Sequence, residues 1–385
     1  MQRPRQVPFR EFVLKVASRC NLACDYCYVY AGPDQSWRSQ PTAMSPPTVE
    51  ATARRIGEHA RAHELSRVQV GLHGGEPLLA GLATLENVII SVHAAMPRGT
   101  RADLTVQTNG VLLDERFLRL FARHRVRIGI SLDGGRQAND RHRVHADGRS
   151  SFAEVTRALS LLTTERYRPL FAGILCTIDL ADDPLDTYST LARYCPPTLD
   201  FLLPHANWSQ PPPQSRDSGE VPYADWLIPI FDKWYMASTS MTRIRLFDET
   251  LQLILGGNSA TEVIGGGPTA FAVVQTDGEI EAVDSLKSAY HGAPSTGTSV
   301  LTHSYDEALQ HPVFTGLQSG REALCTTCTS CPVVAVCGGG QYAHRYRAGH
   351  GFGHPSVYCA DLSRLIGHIA GRVYSDLRRP DARSR

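Results

Sequence analysis

The chain carries almost no net charge: 39 lysine and arginine residues stand against 38 aspartate and glutamate. A protein that neutralises nucleic-acid phosphates shows a basic excess, so no nucleic-acid partner is expected. The opening stretch, Met1 to Arg10, is polar and lacks the apolar centre of a secretory signal. No apolar run approaches the length needed to span a bilayer. The expectation is therefore a cytoplasmic protein without a membrane partner. Cysteine is absent between Cys195 and Cys325. Without a signal sequence, the ten cysteines are not read as disulfides.

Their placement is informative. Cys20, Cys24 and Cys27 lie near the start, and Cys325, Cys328, Cys331, Cys337 and Cys359 near the end. Cys176 and Cys195 are scattered and read as small core residues. The first group has the spacing C-x3-C-x2-C and follows an apolar strand, Phe12 to Val16. Three thiolates on one loop suit three irons of a four-iron cluster, leaving the fourth iron open. A closed zinc site is the alternative, but it usually takes four ligands, and no fourth cysteine is near.

From Phe9 to about residue 203, strand and helix patterns alternate. Strands are expected at 12–17, 68–72, 103–108, 126–132, 170–178 and 199–203. Helices are expected from Ser45, an N-cap followed by Pro46, and from near Leu82, Asp114, Ser151 and Pro184. Six such units predict a parallel sheet, open or curled into part of a barrel, with ligands beyond the carboxyl ends of the strands. Residues 204–222 contain Pro204, Pro211, Pro212, Pro213 and Pro222 and read as a linker or surface loop. Two helices come next, at 223–238 and 244–255, then a glycine-rich stretch from Gly256 to Gly267. Residues 271–283 read as a hairpin around Asp277-Gly278. A last helix carries Leu362, Leu365, Ile366, Ile369 and Val373 on one face.

The Cys20-x3-Cys24-x2-Cys27 motif, with Tyr26 before its last cysteine, resembles the signature of radical S-adenosylmethionine (SAM) enzymes. That resemblance implies a partial (β/α)6 barrel in residues 1–220, with a [4Fe-4S] cluster on Cys20, Cys24 and Cys27 that chelates SAM. An adenosyl radical is then the reactive species. His73-Gly74-Gly75-Glu76-Pro77 is similar to the motif that binds the methionine amino group; by itself it is equally a turn. Gln107-Thr108-Asn109-Gly110 and Ser131-Leu132-Asp133-Gly134 end strands, and the resemblance gives Gln107, Ser131 and Asn109 contacts to ribose and methionine carboxylate. Arg143 resembles an arginine that pairs with the same carboxylate; otherwise it is a solvated basic residue.

Cys328-x2-Cys331-x5-Cys337-x21-Cys359 resembles the second auxiliary cluster of the SPASM domain found in peptide maturases. It implies a second [4Fe-4S] cluster in residues 221–385, closed by four thiolates, with zinc as the alternative. Where the full pattern has another cysteine, Gln341 stands here. Val283-Asp284 occupies the hairpin position of a further one, so the first auxiliary cluster is expected to be missing. Cys325 is spare, an alternative ligand or a buried thiol.

Residues 276–287, 337–346 and 351–359 further resemble FxsB-type maturases of ribosomally made peptides. Those enzymes join an aromatic ring to the Cβ of a residue two positions later, forming a three-residue cyclophane. The implied partners are a precursor peptide and an external flavodoxin- or ferredoxin-like electron donor. Asp284 is the candidate base, by likeness to a catalytic aspartate of sulfatase-modifying relatives; a plain turn carboxylate is the alternative. His344 and His354 are weaker candidates. The barrel begins near residue 9, so no leader-binding domain is expected before it. Competing functions are an anaerobic sulfatase-type maturase (Cys or Ser to formylglycine), a thioether-forming maturase, and a non-enzymatic electron-transfer or zinc protein.

Overall fold

The computed structural model describes residues 6–212, 220–237, 242–259 and 261–378. Ten strands form one sheet in the order β10-β9-β8-β1-β2-β3-β4-β5-β6-β7. Its parallel centre is β1 (Glu11–Ala17), β2 (Arg67–Gly74), β3 (Arg101–Thr108), β4 (Arg127–Ser131), β5 (Phe171–Thr177) and β6 (Thr198–Leu202), with β7 (Arg243–Ile244) at one edge. This is the α/β architecture with a parallel sheet that the strand–helix alternation predicts. Val68, Val70 and Leu72 of β2 and Ile128 and Ile130 of β4 are fully buried, as a parallel sheet covered by helices requires.

The crossover helices are α1 (Pro46–Ala62), α2 (Gly81–Ala95), α3 (Glu115–His124), α4 (Arg136–His142), α5 (Phe152–Leu162) and α6 (Pro184–Ala192). Ser45 caps α1 by accepting from Thr48 N at 3.3 Å, and Asp114 caps α3 through Arg116 N and Phe117 N. The short α4 has no counterpart among the expected helices. One apolar stretch does reach membrane-spanning length by count, Pro77–Ala95, contrary to the expectation that none does. It is two elements, a 3-10 turn (Pro77–Ala80) followed by α2, and Leu85, Val88, Ile89 and Val92 of α2 are buried in the fold.

Beyond the barrel come α7 (Pro222–Met236) and α8 (Arg245–Ile254). Ser238 of the first expected helix and residues 213–219 of the expected loop lie outside the described residues, and Pro222 opens α7. The hairpin is β8 (Phe271–Val274) and β9 (Glu279–Glu281), with Gly278 at φ +94° in its turn. It does not stand apart: β8 pairs in parallel with β1, and β10 (Ser295–Ser299) extends the same sheet. The hairpin's far end is thereby carried to the open rim of the barrel. Short helices α9 (Tyr305–Leu309), α10 (Pro312–Gln318), α11 (Thr326–Thr329) and α12 (Val334–Cys337) lead to α13 (Cys359–Leu377), which packs on α7 and α8.

Candidate functional site

The carboxyl ends of β1 to β6 open on one cavity of about 250 Å³. Its wall includes Cys20, Cys24 and Cys27, Tyr26, Gly74 and Gly75, Gln107, Asn109, Ser131 and Arg143. Residues far apart in sequence therefore converge as the motifs implied. The cysteine loop is pinned from two sides. Ala23 N donates to Val144 O at 2.8 Å, and Asn109 Nδ2 donates to Asn21 Oδ1 at 2.8 Å. Asn109 Nδ2 also lies 3.8 Å from Cys20 Sγ.

Among the described residues, no three cysteine sulfurs lie within 4.8 Å of one another. Thiolates at about 2.3 Å from one tetrahedral zinc would stand roughly 3.8 Å apart. Three cysteines on one cavity wall are the donor set of a cluster in which each thiolate takes its own iron. Gly75 leaves the wall thin: a Cβ there would meet Tyr30 Oη at 1.8 Å and Arg19 O at 2.5 Å. Gly129 similarly makes way for Gln107, whose Oε1 would be 2.1 Å from an added Cβ. Gln107 Nε2 donates to Ser131 Oγ at 2.9 Å, so these two polar groups act as a pair on the wall.

Glu76 has a different place from the one its motif suggests. It is fully buried, outside the lining, and its carboxylate accepts from Leu78 N (3.0 Å), Thr108 Oγ1 (2.7 Å) and Asn109 N (2.8 Å). Its observed work is to lock the end of β2 to the end of β3. Tyr26 and Arg143 form a second set with Asp133, a residue of the Ser131–Gly134 motif that sequence reading left without a role. Tyr26 Oη donates to Asp133 Oδ2, Arg143 Nη1 donates to Tyr26 Oη at 2.8 Å, and Thr177 N donates to Asp133 Oδ1 at 2.9 Å. Arg143 is buried and its Nε has no partner, so it is no solvated loop residue. A buried guanidinium with a free donor on a cavity wall suits a carboxylate ligand.

Asp284 begins the 3-10 turn Asp284–Ser288 after β9. Sequence reading missed its partners. Lys15, on β1, forms an ion pair with Asp284 Oδ2 and donates to His73 Nδ1 at 3.2 Å. Tyr28 Oη approaches the same carboxylate at 3.5 Å. Tyr28, His73 and His205 line the cavity; Asp284 stands directly behind them, with Oδ1 buried and without a partner. Burial alone would raise its carboxyl, but Lys15, then Lys287 and His73, outweigh burial and hold it below the ordinary carboxylate range. Burial, reinforced by Lys15, lowers His73 to about 4, so its ring is neutral and accepts from Lys15.

Nearby, Gln341 donates to Glu262 Oε1 at 2.7 Å, while Glu262 Oε2 is buried without a partner. Burial pushes Glu262 up to about 7, against the Gln341 hydrogen bond. His344 is buried with its ring 4.9 Å from Tyr358 and 6.4 Å from His205. His354 packs on His350 outside the cavity lining. At the far end, Cys328, Cys331, Cys337 and Cys359 line a separate, largely apolar cavity of about 60 Å³ with Val333 and Val334. Cys325 is outside this lining, beside Cys328.

With that geometry in view, the comparisons with known proteins are specific. Residues 14–190 match the family profile of the radical SAM superfamily. That stretch runs from β1 into α6. The similarity to known enzymes extends past it. A cysteine-type anaerobic sulfatase-maturating enzyme of Clostridium perfringens (strain 13 / Type A) is 26% identical over 284 residues, covering 72% of this chain and 74% of the relative. A serine-type anaerobic sulfatase-maturating enzyme of Klebsiella aerogenes is 26% identical over 352 residues, covering 89% and 82%. Among solved structures, native anSMEcpe with bound AdoMet and the Kp18Cys peptide superposes with a TM-score of 0.83. It is 21% identical and covers 95% of this chain and 98% of that one.

These relatives overturn the cyclophane reading. Their named activity is sulfatase maturation, and nothing in them supports an FxsB-type assignment. The segments that suggested cyclophane formation, 276–287, 337–346 and 351–359, build the hairpin turn, the 3-10 turn that begins at Asp284, and the stretch leading to α13. That scaffold does not dictate which bond is made.

Proposed function

We propose that this chain is a radical SAM maturase of the anaerobic sulfatase-maturating kind, oxidising the Cβ of a cysteine or serine in a peptide or protein to formylglycine. The observation that carries this is Asp284, an ionised carboxylate with a free oxygen, held by Lys15 behind the wall of the cofactor cavity. The similarity to sulfatase-maturating enzymes over most of both chains supports the same reaction. A peptide partner is supported by the peptide bound in the similar anSMEcpe structure.

Cys20, Cys24 and Cys27 would hold the [4Fe-4S] cluster, and Cys328, Cys331, Cys337 and Cys359 an auxiliary one. When bound, these groups with SAM supply one-electron chemistry: a hydrogen-abstracting radical at the first and an electron sink at the second. The protein's own part is positioning and proton transfer. Gly74 and Gly75 let the backbone approach SAM. Arg143, fixed by Tyr26 and Asp133, faces the methionine carboxylate, and Gln107 with Ser131 takes the ribose side. Asp284, reached from the cavity through Tyr28, takes the proton that leaves the substrate's thiol or hydroxyl as Cβ is oxidised. Lys15 keeps that carboxylate ionised before the reaction and balances it within a buried setting. A small flavodoxin- or ferredoxin-like protein would deliver the starting electron.

The test is anaerobic reaction of the cluster-loaded enzyme with SAM, a reductant and peptide pools bearing one cysteine or one serine. Expected products are 5′-deoxyadenosine and a hydrazide-reactive aldehyde, with two hydrogens lost at serine, or two hydrogens lost and sulfur exchanged for water oxygen, with release of sulfide, at cysteine. Release of 5′-deoxyadenosine with no aldehyde in any pool, or a crosslink instead, sinks the proposal.

A further inference from the structure

Outside both cysteine-lined cavities, α1 carries His59 and His63, one helical turn apart and on the same side. Asp306, in the first turn of α9, faces both. His63 Nε2 lies 2.7 Å and His59 Nδ1 3.0 Å from Asp306 Oδ1, and the two imidazoles are 4.4 Å apart, centre to centre. One carboxylate oxygen thus stands between two ring nitrogens contributed by a different part of the fold.

Hydrogen bonding alone does not account for the arrangement. His59 is 2% exposed, and neither ring nitrogen meets full hydrogen-bond geometry, although the Asp306 carboxylate and the Phe9 backbone are both close to the ring. A buried imidazole left so is costly. Its ring is fixed by Phe9, Phe12 and Tyr305, with centroids 5.7, 6.0 and 5.9 Å away, so it cannot turn toward water. Asp306 is fixed as well. The turn that bears it is closed by a capping box, Ser304 accepting from Glu307 N while the Glu307 side chain accepts from Ser304 N.

We propose that His59, His63 and Asp306 bind a zinc(II) ion that ties barrel helix α1 to the α9 segment of the C-terminal region. The three ligand atoms all lie within 4.8 Å of one another. Zinc takes nitrogen and oxygen ligands at about 2.0–2.2 Å, which sets neighbouring ligand atoms about 3.3–3.5 Å apart. Movements of a few tenths of an ångström at the exposed His63 and half-exposed Asp306 reach that spacing. Two imidazoles and a carboxylate are a zinc donor set, harder than the thiolate sets that suit iron–sulfur clusters. Since His63 is exposed, the fourth position faces solvent. The site shares no residue with the catalytic cavity, so its role is to join two parts of the fold.

The test uses the cluster-loaded enzyme, stripped of loosely held metal by a chelator and then offered zinc sulfate. Wild-type protein, His63→Ala and Asp306→Asn are compared by elemental analysis, zinc X-ray absorption and thermal melting. Both substitutions are at accessible side chains outside the catalytic machinery. The expected result is about one more zinc per chain in wild type than in either variant, bound by nitrogen and oxygen alone. Zinc should also raise the wild-type melting temperature by on the order of a few degrees, and the variants' not at all. Equal zinc in all three proteins, sulfur in the zinc coordination shell, or no uptake by wild type would each overturn the site.

Discussion

Asp284 shows how much a residue's role depends on its counter-charges. The sequence contains three lysines, Lys15, Lys233 and Lys287, and two of them act on this one carboxylate. Asp284→Asn should leave SAM cleavage near its normal rate and slow aldehyde formation by roughly 10²–10⁴-fold, the usual worth of a general base. Chromatography of 5′-deoxyadenosine beside mass spectrometry of the peptide separates the two steps. The pH dependence comes from the ion pair. As the base of the proposed reaction Asp284 would act as its carboxylate, and its lowered pKa would put the acid limb of kcat/KM below the ordinary carboxylate range. In Lys15→Met the burial that Lys15 now outweighs prevails. The limb should then move to higher pH. An unmoved limb would mean that Lys15 does not set the protonation of Asp284. No motif marks Lys15 in advance, since a lysine inside the apolar run Phe12–Ala17 reads as an interruption. Glu262 is equally silent within its glycine-rich stretch.

At the scale of elements, what repeats was legible and what pairs across distance was not. The six parallel strands were readable because each is a short apolar run between helical patterns, and Ser45 and Asp114 cap α1 and α3 where expected. The helix α4 was missed because Arg136–His142 is polar, with Ala138 and Asn139 its buried residues. The hairpin was readable from Asp277-Gly278, but its parallel pairing with β1 was not, because the paired positions Glu11 and Phe271 are far apart in the sequence. The loops between these elements hold the site at backbone precision. Gly75 illustrates this, as Tyr30 Oη and Arg19 O press into the space a side chain would need. Gly75→Ala should force the β2 loop off Tyr30 and destabilise the protein by about 1–3 kcal/mol. It should also lower 5′-deoxyadenosine formation along with aldehyde, unlike Asp284→Asn. A melting curve and the 5′-deoxyadenosine assay check both, and an unchanged rate in that assay would show that the loop does not cradle SAM.

Across the whole molecule, two cysteine-lined cavities share no lining residue, one at the barrel rim and one between α11, α12 and the start of α13. Motif spacing exposed both sets, because each set lies within a short span or between fixed loops. What spacing could not give was the fate of the radical, since the same scaffold serves different bond changes. The independence of the cavities makes a separable prediction. Replacing Cys20, Cys24 and Cys27 together with alanine should abolish SAM cleavage and leave about half of the iron, held at the C-terminal site. Replacing Cys328 and Cys337 with serine should leave the other half and preserve reductive cleavage of SAM, while aldehyde formation collapses for want of an electron acceptor. Iron analysis and electron paramagnetic resonance of both variants decide the matter. If the first variant loses all its iron, or the second forms aldehyde at the wild-type rate, the C-terminal thiols neither hold a cluster of their own nor take the electron released as Cβ is oxidised.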